Sequence, residues 1–294
     1  MANYVIVSDT TCDLPVELVL TLGVKFLPLS FTVDGTTYKG YLDEREYKLS
    51  NLYNQMREGK SITTSQVNIY DAEQYFKKYL SQGLDVLCIT FSSGLSGTHN
   101  SFRIAAENMK AEFPERTIEI VDSLCACSGE GILVYQAAKN RREGMSLRDN
   151  KSYCEHFKHY VRHWFTVDDL DTLVRGGRLT VSKAMIAKAL KIKPILNVSE
   201  EGKLQAITNK LGRKSAIKQL INESLQGIET EYEFPTFVTH ADCEEDAVYA
   251  KNILEEEYKN LGIKSKVYIA KIGPVIGAHA GPGTLALFTV GNKR

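Results

Sequence analysis

The sequence has no apolar stretch of the ~18 residues that a membrane-crossing helix needs. It has no surplus of either charge, with 36 Lys and Arg against 36 Asp and Glu. A partner bound mainly through release of phosphate counterions is thereby excluded, nucleic acid included. Residues Met1 to Asp9 lack a basic segment and a cleavage site, so they read as a strand and not as a signal peptide. The six cysteines, Cys12, Cys88, Cys125, Cys127, Cys154 and Cys243, never show the Cys-x-x-Cys spacing of a zinc or redox motif. They read as unpaired thiols of a reducing cytoplasm, and Cys88, inside an apolar run, reads as a small hydrophobe. There is no Walker lysine loop and no G-x-G-x-x-G after the first strand. His156, His159 and His163 are three and four apart, but only Cys154 and Glu155 stand beside them as further donors, which is not a metal site.

What is present describes a folded chain: 43% hydrophobic and 24% charged residues over a length that suits two domains. The first half alternates apolar runs with amphipathic stretches. Asn3–Val7, Val24–Phe31 and Ile118–Asp122 read as strands, and Asp34-Gly35 as a type I′ hairpin turn. Asp85–Phe91 is continuously apolar, as a buried parallel strand is. Helices are expected over Asp43–Arg57, Asp71–Leu80, Thr98–Glu112 and Ser128–Gly144. This rhythm predicts an α/β domain over residues 1–160, with a parallel sheet flanked by helices and a ligand beyond the carboxyl ends of its strands. Residues 161–294 mix a hairpin (Lys193–Val198 with Leu204–Asn209) with helices at Arg213–Gln226 and Glu244–Leu261. That mixture predicts an α+β domain with a mainly antiparallel sheet.

Four segments can carry chemistry. Ser92–Gly97 joins a buried strand to a helix, where free N–H groups and the positive helix end favour an anion. Gly94 and Gly97 let the backbone approach a ligand, and the serines add donors, although Ser and Thr also stand at such turns as plain caps. Thr63-Thr64-Ser65-Gln66 offers more hydroxyls at a helix entry or strand end. Gly273–Gly283 encloses His279 in glycine and proline, which reads as a turning backbone rather than helix or strand. Arg175-Gly176-Gly177-Arg178 is a cationic turn, either a helix C-terminus or a docking point for an acidic partner.

In order and spacing these segments resemble the DegV family over nearly the whole chain. The matching pieces are Ser8-Asp9-Thr10-Thr11-Cys12-Asp13, Thr64-Ser65-Gln66, Ser92–Thr98, Asp169-Leu170 through Arg178, Lys193–Leu196 and Ile276–Gly283. The resemblance implies a bacterial protein of two α/β domains that buries a long-chain fatty acid and presents its carboxylate to a separate fatty acid kinase, which makes an acyl phosphate. It implies no catalysis, cofactor or metal of its own. Carried over by position, Thr64 and Ser93 hydrogen-bond the carboxylate, His279 lines the head-group site, and Arg175 or Arg178 faces the kinase. Thr63 supplies a second hydroxyl beside Thr64, so two threonines are candidates. The sequence departs from the family at Val67, where many relatives have proline.

Burial of about fifteen methylenes at ~0.8 kcal/mol each gives roughly 12 kcal/mol of drive. Part of it is lost to association, and more to any carboxylate left without partners. An alternative reading makes Ser93 the nucleophile of an acyl hydrolase or acyltransferase. Against it, the Gly-x-Ser-x-Gly elbow is missing and no base is apparent. A sugar- or phosphate-binding regulator would use the same loop without a long apolar cavity.

Overall fold

The computed structural model describes residues 3–180 and 191–294. Strand β1 (Tyr4–Asp9) lies at the centre of a four-stranded parallel sheet, ordered β2-β1-β6-β7, with β2 at Lys25–Leu27, β6 at Asp85–Thr90 and β7 at Ile118–Asp122. Helices α1 (Val16–Leu22), α3 (Ile69–Leu80), α4 (Thr98–Glu112), α5 (Ser128–Arg142) and α6 (Leu147–Phe157) belong to this half, as the strand–helix rhythm predicts. A three-stranded antiparallel sheet joins β3 (Ser30–Val33) to β4 (Thr36–Lys39), the hairpin read at Asp34-Gly35, and to β5 (Thr63–Ser65), a pairing absent from the sequence reading. Positive φ at Asp34 and Gly35 fits the type I′ turn between β3 and β4.

Two expectations in this half need correction. The run Val24–Phe31 is not one strand: it splits into β2 and β3, which serve different sheets. The helix expected from Asp43 begins only at Leu49, as α2 (Leu49–Arg57). Glu44 adopts φ 56°, and its carboxylate accepts a hydrogen bond from the Leu49 N–H at 3.1 Å, so it caps the helix from outside.

Strands β8 (Val161–Thr166), β9 (Ile192–Val198), β10 (Leu204–Leu211), β11 (Thr236–His240), β12 (Val267–Lys271) and β13 (Leu285–Val290) form the second large sheet, ordered β10-β9-β8-β13-β11-β12. All its pairings are antiparallel except β11 with β12. Helices α8 (Arg213–Leu225) and α9 (Glu244–Leu261) pack on it, and α7 (Asp171–Arg175) follows β8. The Gly273–Gly283 segment is not a plain turning backbone, because Pro274–Ala280 is a helix, α10, with proline at its first position. His156, His159 and His163 do not share a helix face; they fall on α6, on a 3-10 turn and on β8.

Helix α5 touches β1 and β6 of the parallel sheet and also β8, β11 and β13 of the antiparallel one. It is therefore buried nearly all round, and it carries glycine where neighbours come close. A Cβ at Gly129 would collide with the His163 ring, and one at Gly131 would stand 2.8 Å from the Cys12 carbonyl oxygen. Through this helix one hydrophobic cluster runs from Tyr4 and Ile6 to Phe288 and Val290, across both large sheets.

Candidate functional site

Beyond the carboxyl ends of β1 and β6, facing the antiparallel sheet, lies a cavity of about 420 Å³. Phe165 on β8, with Ala286 and Phe288 on β13, gives it one apolar wall, and Val275 and Ile276 of α10 give it another. One end is polar, and α10 builds it by packing against α7 and β5. There the His279 Nε2 lies 2.8 Å from the Thr64 hydroxyl. The other ring nitrogen faces Gly176, where a Cβ would come within 2.6 Å of Nδ1. Arg178 reaches the same place; its Nε donates to the Leu95 carbonyl at 3.2 Å and its Nη1 to the Gly176 carbonyl at 2.5 Å. Burial, with the Arg178 charge adding to it, pushes the His279 imidazole down to about 4, so the ring is neutral at pH 7.

The structure separates the two candidate threonines. Thr64 lines the cavity, and Thr63 is exposed and lies outside its wall. The serine loop divides in a similar way. Its first half docks on the β9–β10 turn: Ser92 is buried, and its hydroxyl donates to the Gly202 carbonyl at 2.8 Å. Gly94 belongs to that docking, since a Cβ there would lie 2.8 Å from the Glu201 carbonyl oxygen. Ser93 is exposed, its N–H donates to Asp122 at 3.1 Å, and it is outside the cavity wall. The expectations for Ser93 and for the Gly94 backbone are corrected accordingly. Ser96 and Gly97, nearer the start of α4, line the cavity instead. Gly97 must lack a side chain because the Gln66 amide occupies the space where a Cβ would stand.

The arginines are also sorted. Arg178 is built into the polar end, whereas Arg175 is exposed and forms no ion pair among the described residues. The sequence reading missed a buried acid group next to the cavity. Asp9, Asp13 and Glu130 are each almost wholly buried. Asp9 accepts from the Thr11 N–H at 2.9 Å and from the Phe91 N–H at 3.1 Å, and its carboxylate also meets the Thr11 hydroxyl. Asp13 accepts from the Gly273 N–H at 2.9 Å and from the Cys127 thiol at 3.0 Å. Glu130 accepts from the Ser8 hydroxyl at 3.0 Å. Burial raises all three acids, Asp13 to about 8. Thr11 and Cys127 bring this network to the cavity wall. Among the described residues no group of His, Cys, Asp and Glu is arranged to hold a metal. No described helix is long and apolar enough to cross a membrane.

A family model described as "Uncharacterised protein, DegV family" matches residues 3–292. The DegV domain-containing protein CPE0026 of Clostridium perfringens is 40% identical over 294 residues, covering 100% of this chain and 99% of that protein. This chain belongs to the DegV family. The relative YteA of Lactococcus lactis is 34% identical over 291 residues, covering 99% of each. A DegV family protein from Thermus thermophilus, described as binding fatty acid, superposes with a TM-score of 0.87 at 28% identity over 99% of this chain and 100% of that one. Bacillus subtilis DegV, described as a fatty acid binding protein, has a TM-score of 0.81 at 29% identity, again over 99% and 100%. The DegV fold thus accounts for the parallel and antiparallel sheets together.

Proposed function

We propose that this DegV chain is a non-catalytic carrier in a reducing cytoplasm that binds a long-chain fatty acid and presents its carboxylate to a separate fatty acid kinase. The observation that carries the reading is one cavity with apolar walls that ends at Thr64, His279 and Arg178. An acyl tail is stabilised along Phe165, Ile276, Ala286 and Phe288. The carboxylate takes the Thr64 hydroxyl, the Ser96 hydroxyl and the positive Arg178, with the neutral His279 as a further donor. These groups offset the desolvation that would otherwise cancel the gain from the tail. Exposed Arg175, one turn from that end, suits contact with the kinase; Arg178 is too deeply engaged for that task alone.

Acid extraction of the purified protein followed by mass spectrometry should yield a long-chain fatty acid. Extracts free of acyl chains, from protein that also fails to bind added hexadecanoate, would sink the carrier reading. Thr64→Val should weaken binding about tenfold, the worth of one hydrogen bond to a charged group, while Thr63→Val leaves it unchanged. Arg175→Ala should retain the lipid and slow its phosphorylation by the kinase; an unchanged rate removes Arg175 from the docking face. The hydrolase alternative lacks support, since the Ser93 hydroxyl meets no base among the described residues and His99 Nδ1 is paired with the Thr90 hydroxyl at 2.9 Å.

A further inference from the structure

We propose that Asp13 makes fatty-acid loading sensitive to pH: as a neutral acid it joins the cavity wall to the helix that carries His279, and its ionisation weakens binding of the lipid carboxylate. The inference rests on the fatty-acid reading above and adds a regulation of that same site.

Asp13 closes a 3-10 turn (Thr10–Cys12) in the left-handed region, at φ 44°, and is only 1% exposed. Its two carboxyl oxygens reach two parts of the site. Oδ1 accepts the Gly273 N–H at 2.9 Å, directly before α10, and Oδ2 lies 3.0 Å from the Cys127 Sγ in the cavity wall. The first contact is close-fitting, since a Cβ on Gly273 would stand 2.6 Å from Oδ1. Two contacts are few for a buried carboxylate, which has about four acceptor sites when ionised. Asp9 is better supplied, with the Thr11 and Phe91 N–H groups and the Thr11 hydroxyl. Glu130 meets only the Ser8 and Thr11 hydroxyls among the described residues, and the Ser8 proton is also in reach of the Ile89 carbonyl. As pH rises Asp9 therefore ionises first, Asp13 next, at about 8, and Glu130 last.

No cation offsets the charge that Asp13 acquires. It faces Asp9 from β1, Glu130 and the Cys127 thiol from α5, the Cys12 thiol from its own turn and the Tyr53 phenol from α2, each neutral or negative. On its outer side it shares a second pocket, of about 560 Å³, with Glu17 of α1, Asp43 and Glu44 before α2, and His240 and Glu244 at the end of β11 and the start of α9. Burial keeps His240 neutral there, and Lys271 in the same wall is engaged with Glu44 at 3.0 Å. Exposed Glu17, Asp43 and Glu244 put that pocket at the surface, so Asp13 can exchange its proton outside the acyl cavity. From Gly273 to His279 the α10 backbone rises about 9 Å. Like charges at the two ends repel through a water-poor interior, and at an effective dielectric near 20 this lowers affinity on the order of tenfold. By the same coupling a bound carboxylate raises Asp13 further, so loading takes up a proton above about pH 8.

The test titrates the delipidated full chain with hexadecanoate from about pH 7 to about pH 9.5, wild type against Asp13→Asn, whose amide still accepts the Gly273 N–H and cannot ionise. The ratio of the two dissociation constants at each pH cancels the titration of the free lipid. The two proteins should agree within about threefold at pH 7, and the wild type should bind about tenfold more weakly than the variant at pH 9.5. A ratio that stays constant over this range overturns the proposal. Calorimetry near pH 8.5 in buffers of different ionisation enthalpy should show proton uptake when the wild type loads, and its absence overturns the proposal whether or not Asp13→Asn folds. Protein that binds no hexadecanoate at any pH overturns the fatty-acid reading instead.

Discussion

At the scale of single residues the buried acids and the site histidine shift in opposite directions, and each shift has a testable sign. Asp13 is raised by burial to about 8, so its contribution to stability is complete below about pH 4 and is lost as pH rises toward 8. Asp13→Asn keeps an acceptor for the Gly273 N–H and removes the titration. Relative to wild type, the variant should gain a few kcal/mol between pH 4 and pH 8 in denaturant melts; parallel curves would show that Asp13 does not titrate there. His279 is lowered to about 4, so its contribution is present above about 6.5 and is lost as pH falls toward 4. A bound carboxylate lifts that imidazole back toward its ordinary value, so binding should take up protons near pH 6. Calorimetry in buffers of different ionisation enthalpy checks this, and His279→Gln should abolish the uptake. Thr64 and His279 were legible from the sequence as hydroxyl and imidazole at punctuated segments. The choice of Thr64 over Thr63, and of Ser96 over Ser93, was not. Each depends on which way a side chain points, and that is set by the pairing of β5 with β3 and by the docking of Ser92 and Gly94 on the Glu201–Gly202 turn.

At the scale of elements, α4 and α9 have the bounds their patterns predict, because amphipathic spacing and, for α9, the left-handed Gly262 that stops it are local signals. Helix α10 escaped that reading. Its glycines look like breakers, but they serve close packing: Gly273 stands before Pro274 in extended conformation, and Gly281 turns the chain away at φ 85°. Gly277, in the middle, has the Tyr53 ring against it, leaving no room for a Cβ. The Tyr53 hydroxyl donates to the Ile272 carbonyl at 2.7 Å, so the helix carrying His279 is seated on α2 by this contact. Gly277→Val should displace the ring, destabilise the protein by about 1–3 kcal/mol as overpacking does, and weaken fatty-acid binding because Thr64 and His279 no longer meet. Normal affinity in the destabilised variant would separate the seat of the helix from the site.

At the scale of the whole molecule, the two sheet types were legible because strand–helix alternation and hairpins leave distinct patterns, as in Asp85–Thr90 and in Ile192–Leu211. Their fusion was not. The sequence of α5 shows a helix, but nothing in its periodicity says that a second sheet covers its other side. Gly129 against His163 and Ser128 bonded to the Thr239 hydroxyl at 2.7 Å are visible only once the sheets are apposed. The shared core has a consequence for unfolding. Trp164 reports on the antiparallel sheet, whereas far-ultraviolet circular dichroism reports on all helices and strands, those around the parallel sheet included. With α5 common to both sheets, the two probes should give one coincident thermal transition. Fatty acid bound between the sheets should raise that midpoint for both probes together, with about 2.7 kcal/mol of stabilisation at a hundredfold excess over the dissociation constant. A tryptophan transition that separates from the dichroism, or a ligand that shifts one and not the other, would mean that the cluster from Tyr4 to Val290 does not act as one cooperative core.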